Sequence, residues 1–214
     1  MIKLVIFDVD GTLVDSEVVF VKAAIKNMEV NGYNIPMSAI MGIIGQNRVA
    51  GQKLIESTQD DSFDYNKYIK NYEKIRSEIL EKEPLKLKKG ALNILNYCKE
   101  HGIRMAIATS TYREKQVKVL TNLGIIDYFD YMVFGDEIKN SKPAPDIYLK
   151  VYERYNYDKD EMIIYEDSNN GILSGYNAGI RVVYIKDIVD VKEETLSLCY
   201  KQVKDLDEGI EILK

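Results

Sequence analysis

The sequence predicts an α/β protein: a parallel sheet covered on both faces, with an all-helical segment inserted after the first strand. Three observations predict it. Short runs apolar at every position recur along the chain, as in strands buried between two helical layers. Helical periodicities separate these runs, which is the sequence form of βαβ units. From Ser16 to Lys82 the alternation stops, and helical spacing alone is found.

The first strand is Leu4 to Phe7. Val18, Val21, Ile25 and Met28 then recur at helical spacing, and Gly32 to Pro36 stops that helix. Pro84 and the Lys-rich run after it suit a hinge back to the sheet. Leu92, Leu95 and Cys98 predict the next helix, which ends at His101 with Gly102 at C′. Met105 to Ala108 is the second strand, and Val117 and Leu120 mark a helix after it. A further strand runs through Tyr131 to Phe134. Ile147, Val151 and Tyr155 give a helix before the strand Ile163 to Tyr165; Ile172, Tyr176 and Ala178 give one after it. Val182 to Ile185 is the last predicted strand, and one or two helices follow around Leu196 and Ile210. The expected division is therefore a core of 1–15 and 83–214 and a helical unit of 16–82. An insertion at a strand's carboxyl end sits over the crevice where open α/β sheets bind ligands, the place for a lid.

Composition narrows the function. The 214 residues are 46% hydrophobic, enough for a sizeable core, and 29 Lys and Arg against 34 Asp and Glu leave a net charge of −5. With no basic stripe to neutralise a phosphate backbone, nucleic acid is not an expected partner. The apolar run at the N-terminus is too short for a signal h-region or a membrane span. A soluble cytoplasmic protein with no membrane partner is expected. Cys98 and Cys199 stand far apart in segments read as helical, which suits buried or half-buried thiols in a reducing compartment. The one histidine, His101, lies at a helix end beside the negative pole of the dipole. Carboxylates, hydroxyls, Lys and a hard metal are left to carry any chemistry.

Four segments offer such groups, each at or just after a predicted strand end. In Asp8-Val9-Asp10-Gly11 the two carboxylates, at i and i+2 on extended backbone, point the same way. Asp-Gly is equally ordinary turn chemistry, and the Gly comes too early for an EF-hand loop. Thr109 and Ser110 present hydroxyls and N–H groups at the mouth of a helix, suited to an anionic oxygen or to simple capping. Lys142, in Asn140-Ser141-Lys142-Pro143-Ala144-Pro145, is either a held cation or a solvated one. Glu166 and Asp167 precede Ser168-Asn169-Asn170-Gly171, where capping and dipole complementarity are the plain alternative.

Taken together and in this order, these segments resemble the haloacid dehalogenase-like hydrolase superfamily over essentially the whole chain. The helical insertion between the first two resembles the capped branch that holds β-phosphoglucomutase and sugar-phosphate phosphatases. The run Asp10-Gly11-Thr12-Leu13-Val14-Asp15-Ser16-Glu17 looks like the phosphatase members. The implied fold is a Rossmann-like parallel sheet core with an inserted all-helical cap domain. The implied mechanism makes Asp8 the nucleophile that forms an aspartyl-phosphate and Asp10 the acid and base. Mg²⁺ would be held by the Asp8 carboxylate, the Asp10 carbonyl and Asp167, with Glu166 helping directly or through water. Lys142 would neutralise charge beside Asp8, and Thr109 with the Ser110 N–H would take a phosphate oxygen. The positive groups are needed because each like-charge pair at about 4 Å costs on the order of 4 kcal/mol at an effective dielectric near 20.

Substrate choice falls to the cap. Gly42-Ile43-Ile44-Gly45-Gln46-Asn47-Arg48 looks like the family's loop that faces the site. Arg48 stands where relatives place a cation over a second phosphate or sugar hydroxyls, and is equally natural as a surface helix Arg. Glu17 is a substrate contact or a helix-start carboxylate. Phe20 stands where β-phosphoglucomutase has a histidine, and Ile44 where it has a cap lysine. Hydrolysis of a small phosphorylated metabolite, in particular a sugar phosphate, is the expected function. The alternatives are a phosphosugar mutase and a non-catalytic phosphate-binding or regulatory protein.

Overall fold

A computed structural model describes residues 1–46 and 48–214. Asn47, within the loop read above as facing the site, lies outside the described residues. In chain order the elements are β1 (Leu4–Phe7), α1 (Glu17–Asn31), α2 (Met37–Ile43), α3 (Arg48–Glu56), α4 (Tyr65–Lys82), α5 (Ala91–Glu100) and β2 (Arg104–Ala108). They continue with α6 (Arg113–Asn122), β3 (Tyr131–Val133), α7 (Asp146–Tyr155), β4 (Met162–Glu166), α8 (Asn169–Asn177) and β5 (Arg181–Ile185). The last three are α9 (Glu193–Leu196), β6 (Lys201–Val203) and α10 (Leu206–Ile210). The chain forms two compact units, one of Met1–Val14 with Lys86–Lys214, the other of Asp15–Leu85.

The first unit is a six-stranded sheet in the order β3-β2-β1-β4-β5-β6, parallel throughout. This is the doubly wound order, in which the chain builds outward from β1 on one side and then restarts at β4 on the other. Every residue of β1 and β4 is buried, because helices cover both faces of the sheet centre. Leu4, Ile6, Ala106, Ala108 and Ile164 share one face with Ile147, Tyr148 and Val151 of α7 and Ile172 of α8. On the other face Phe7 stacks on Tyr165, centroids 5.5 Å apart, and the Tyr165 hydroxyl donates to the Gly209 carbonyl of α10 at 2.7 Å.

The sheet's edge departs from the sequence reading. β6 was read as part of a helical tail, because Lys201-Gln202-Val203 has only Val203 buried. An edge strand with polar outward positions carries little apolar signal. Cys199 correspondingly lies between α9 and β6 and not in a helix, while Cys98 is buried in α5. In α5 the buried stripe is Ala91, Ile94, Leu95 and Cys98, and Leu92 is exposed; an i, i+3, i+4, i+7 face that begins at Ala91 excludes it.

The second unit is all helical. Its core joins Ala23, Ala24, Ile35, Ile40, Tyr68 and Tyr72. In α1 the buried positions are Glu17, Val19, Ala23, Ala24 and Asn27, not the predicted Val18, Val21, Ile25 and Met28. Small Ala23 and Ala24 let α1 lie close to α4, and the buried Asn27 amide is satisfied by donating to the Tyr68 carbonyl at 3.2 Å. Among the described residues no helix is long and apolar enough to cross a membrane.

Candidate active site

The carboxyl ends of β1, β2 and β4 are adjacent, with Phe7, Ile107 and Tyr165 in register. This is the topological switch point, where an α/β sheet opens a crevice. Asp8 is the first residue beyond β1, and its N–H still donates to the Tyr165 carbonyl at 3.0 Å, so its backbone is held by the sheet. The chain then closes a tight loop. Leu13 and Val14 both donate to the Val9 carbonyl at 2.9 Å, and Gly11 donates to the Val14 carbonyl at 2.9 Å. Gly11 has φ +82°, and a Cβ there would stand 2.3 Å from Asp167 Oδ2; both facts demand glycine.

Lys142, 5% exposed, is fully matched. Its three N–H donors meet Asp8 Oδ1 at 2.6 Å, Glu166 Oε1 at 2.6 Å and the Ala108 carbonyl at 3.1 Å. The Tyr148 ring lies 5.0 Å from the ammonium. Burial works against the lysine's charge, but Asp8 and Glu166 outweigh it and hold its pKa well above the ordinary value. Glu166 in turn takes five donors: Lys142 Nζ and the Tyr148 hydroxyl at 3.1 Å on Oε1, and the Asp167 N–H, Ser168 N–H and Ser168 hydroxyl on Oε2 at 2.8, 2.9 and 3.1 Å. Gly171 permits this, since a Cβ at that position would stand 1.6 Å from Glu166 Oε1.

Two further carboxylates border Asp8. Asp10 Oδ2 accepts from the Thr111 hydroxyl at 2.8 Å, and Asp167 Oδ1 accepts from the Thr12 hydroxyl at 2.8 Å. Thr109, buried at the end of β2, accepts from the Thr111 N–H at 3.1 Å. Burial, then Glu166 and Asp10, raise the Asp8 carboxyl against the pull of Lys142, for a net rise to about 7. The Asp167 carboxyl is raised well above the usual range, first by burial and then by Glu166 and Asp8. Both shifts share their causes: burial first, and then more negative groups gathered here than Lys142 can balance.

The sequence profile of the haloacid dehalogenase-like hydrolases matches residues 5–185, an interval that begins in β1 and ends with β5. The chain belongs to this family. Among its relatives, a phosphorylated carbohydrates phosphatase of Thermotoga maritima is 34% identical over 186 residues, covering 85% of this chain and 84% of its own. A fructose-1-phosphate phosphatase of Escherichia coli is 32% identical over 191 residues, covering 87% and 95%. The crystal structure of a β-phosphoglucomutase from Clostridium difficile aligns over 100% of both chains with a TM-score of 0.76; at 21% identity it shows the shared fold. This hydrolase is a phosphoric monoester hydrolase.

Of the residues singled out in the sequence, Asp8, Asp10, Thr109, Lys142, Glu166 and Asp167 come together at the strand ends, and Ser110 follows Thr109 at the same mouth. Glu17 and Arg48 belong to the helical unit: Glu17 is buried at the start of α1, and Arg48 is exposed at the start of α3. Glu166 carries five donors on its two oxygens, from Lys142, Tyr148 and the turn of Asp167 and Ser168. The structure also brings to these carboxylates hydroxyls the sequence reading passed over: Thr12 on Asp167, Thr111 on Asp10 and Tyr148 on Glu166. Each is an ordinary hydroxyl inside or beside a motif, and no spacing rule marks it.

Among the described residues no three acidic, His or Cys side chains form a ready ligand set. Two carboxylates, Asp8 and Asp167, and the Asp10 main-chain carbonyl remain as oxygen donors. Such a set fits Mg²⁺, which keeps several waters and takes few protein ligands.

Proposed function

We propose that this phosphatase hydrolyses small phosphorylated sugars through an aspartyl-phosphate on Asp8, with Mg²⁺ as its cofactor. The observation that carries the reading is Asp8 itself: a buried carboxylate with one oxygen on Lys142 and two further carboxylates beside it. In the first half, an Asp8 carboxylate oxygen attacks phosphorus and the bond from phosphorus to the sugar oxygen breaks. Asp10 gives its proton to that leaving oxygen. In the second half, Asp10 takes a proton from water, the water oxygen attacks phosphorus, and the bond to Asp8 breaks to release inorganic phosphate. Such acid–base help is worth roughly 10² to 10⁴ in rate.

The other groups act by position. Thr111 holds the Asp10 carboxylate, Lys142 orients Asp8 and offsets charge on the transferring oxygens, and Thr109 with the Ser110 N–H takes one of those oxygens. Asp8, the Asp10 carbonyl and Asp167 would hold Mg²⁺, which supplies positive charge to a site that has too little. Glu166 serves by fixing Lys142. A helical cap domain of 16–82, with 1–15 and 83–214 as the core, would select the substrate, with Arg48 and Glu17 as its candidate contacts.

The substrate class is supported by the two relatives named for phosphorylated carbohydrates and fructose 1-phosphate. Hydrolysis over mutase turnover is supported by Phe20, which packs on Tyr72 with centroids 5.7 Å apart and offers no imidazole. The test is phosphate release from a panel of sugar phosphates and other phosphomonoesters, with Mg²⁺ and with chelator, against Asp8→Asn as blank. Metal-dependent release confined to sugar phosphates is expected. No release from any of them, with isomerisation of glucose 1-phosphate instead, would overturn it in favour of a mutase.

A further inference from the structure

The loop after β5 brings one more carboxylate to this site. The Asp187 side chain is 5% exposed, and its Oδ1 is paired with Lys88. Its Oδ2 is buried and has no hydrogen-bond partner among the described residues. An unmatched buried carboxylate oxygen is costly and calls for an explanation in terms of a cation, a water or a proton. Its direction supplies one. At the place where Gly11 lacks a Cβ, Asp187 Oδ2 stands 2.9 Å away and Asp167 Oδ2 stands 2.3 Å away. Two carboxylate oxygens therefore face the same small space beside the Asp8 loop. Lys88 is fixed on the far oxygen, its N–H donating to the Leu13 carbonyl at 2.9 Å in the same loop.

We infer that Asp187 is an outer carboxylate of the divalent-cation site, a positioning residue that acts beside Asp167 and is tuned by Lys88. The inference rests on the Mg²⁺ reading above and extends it to a residue outside the four motifs. Asp187 does not join a three-carboxylate ligand set. Its contribution is negative charge and an acceptor for the cation's retained waters, the role that partners beyond the direct ligands commonly play. Lys88 restrains that charge, so the two residues should pull cation affinity in opposite directions.

The experiment is calorimetric titration of Mg²⁺ into the full-length, chelator-stripped enzyme without substrate, with near-UV circular dichroism to check each variant's fold. Asp187→Asn is expected to weaken Mg²⁺ binding by roughly tenfold or more. Lys88→Gln, which frees the Asp187 charge, is expected to tighten it. Wild-type binding that Asp187→Asn leaves unchanged would overturn the inference and leave the metal reading standing. So would a loss of affinity in both variants, the mark of a loop held together by the ion pair. No binding by the wild type would overturn the metal reading and this inference with it.

Discussion

Two pairs of groups stand beside the Asp8-to-Val14 loop, and they differ in how completely they are matched. Lys142 and Glu166 form a closed set: three donors on the lysine meet three acceptors, and five donors fill the glutamate. Asp167 and Asp187 form an open one, with Asp187 Oδ2 buried and without a hydrogen-bond partner among the described residues, and the Asp167 carboxyl raised by burial and then by Glu166 and Asp8. A closed set fixes geometry whether or not a ligand is present. An open set has a preference for added positive charge built into it. Under the proposed mechanism, fixed positioning and cation demand thus fall to different residues around Asp8.

The largest expected effect removes what the two pairs share. Asp8→Asn should lower phosphate release by about 10⁴-fold or more, as loss of a nucleophile does in other covalent enzymes, and should form no acid-stable phosphoenzyme adduct in quenched mass spectra. Retention of more than a few per cent of the rate would sink the covalent mechanism. Next comes the closed pair. Lys142→Met leaves Asp8 and Glu166 buried together without their cation, and should cost about 3–5 kcal/mol in urea denaturation as well as most of the activity. A variant of unchanged stability would show that the pair is not the structural half.

The open pair should reveal itself through pH. The Asp8 carboxyl binds its proton more tightly in the folded protein, at about 7, than at its ordinary 3.8. A raised acid opposes folding once it ionises, so the penalty is full above about 7 and fades as pH falls toward 4. In chelator, stability should rise on the order of 2 kcal/mol from pH 8 to pH 5.5, and Asp8→Asn should flatten that rise. Mg²⁺ should flatten it too, by stabilising the ionised form; a slope indifferent to both would end the claim that the site lacks positive charge. The smallest effect concerns Asp10. Thr111→Val removes one hydrogen bond, worth about 1 kcal/mol, and should lower kcat roughly fivefold with KM little changed and the pH profile displaced. An unaltered profile would mean that Thr111 does not set the Asp10 carboxyl.

The sequence carried the closed pair better than the open one. Lys142 and Glu166 stand in motifs whose order along the chain resembles a family, and four of the six strands, β1, β2, β4 and β5, announce themselves as runs buried on both faces. β6 does not, because an edge strand with one buried side chain has no pattern to repeat. Asp187 was equally silent: it stands two residues beyond β5 in a loop of mixed charge, and only the backbone of Gly11 shows what it faces. The position just past a parallel strand was the available signal. Tyr148 and Thr111 gave none, since each acts through a hydroxyl whose partner lies far off in sequence. In α1 the apolar residues suggested one face, and the small residues Ala23 and Ala24 decided another.

The strand order also sets a timetable for synthesis. β1 leaves the ribosome ahead of the other elements, yet its two neighbours in the sheet are β2 and β4, whose residues 104–108 and 162–166 come far later. The Asp15–Leu85 unit, continuous in sequence, finds all its helical partners before either neighbour exists. Pairing across such separations is intrinsically slow, and domains tend to form in the order they emerge. Asp8 therefore waits for most of the chain to be made, and a chain interrupted before β4 lacks the Tyr165 carbonyl that accepts from the Asp8 N–H.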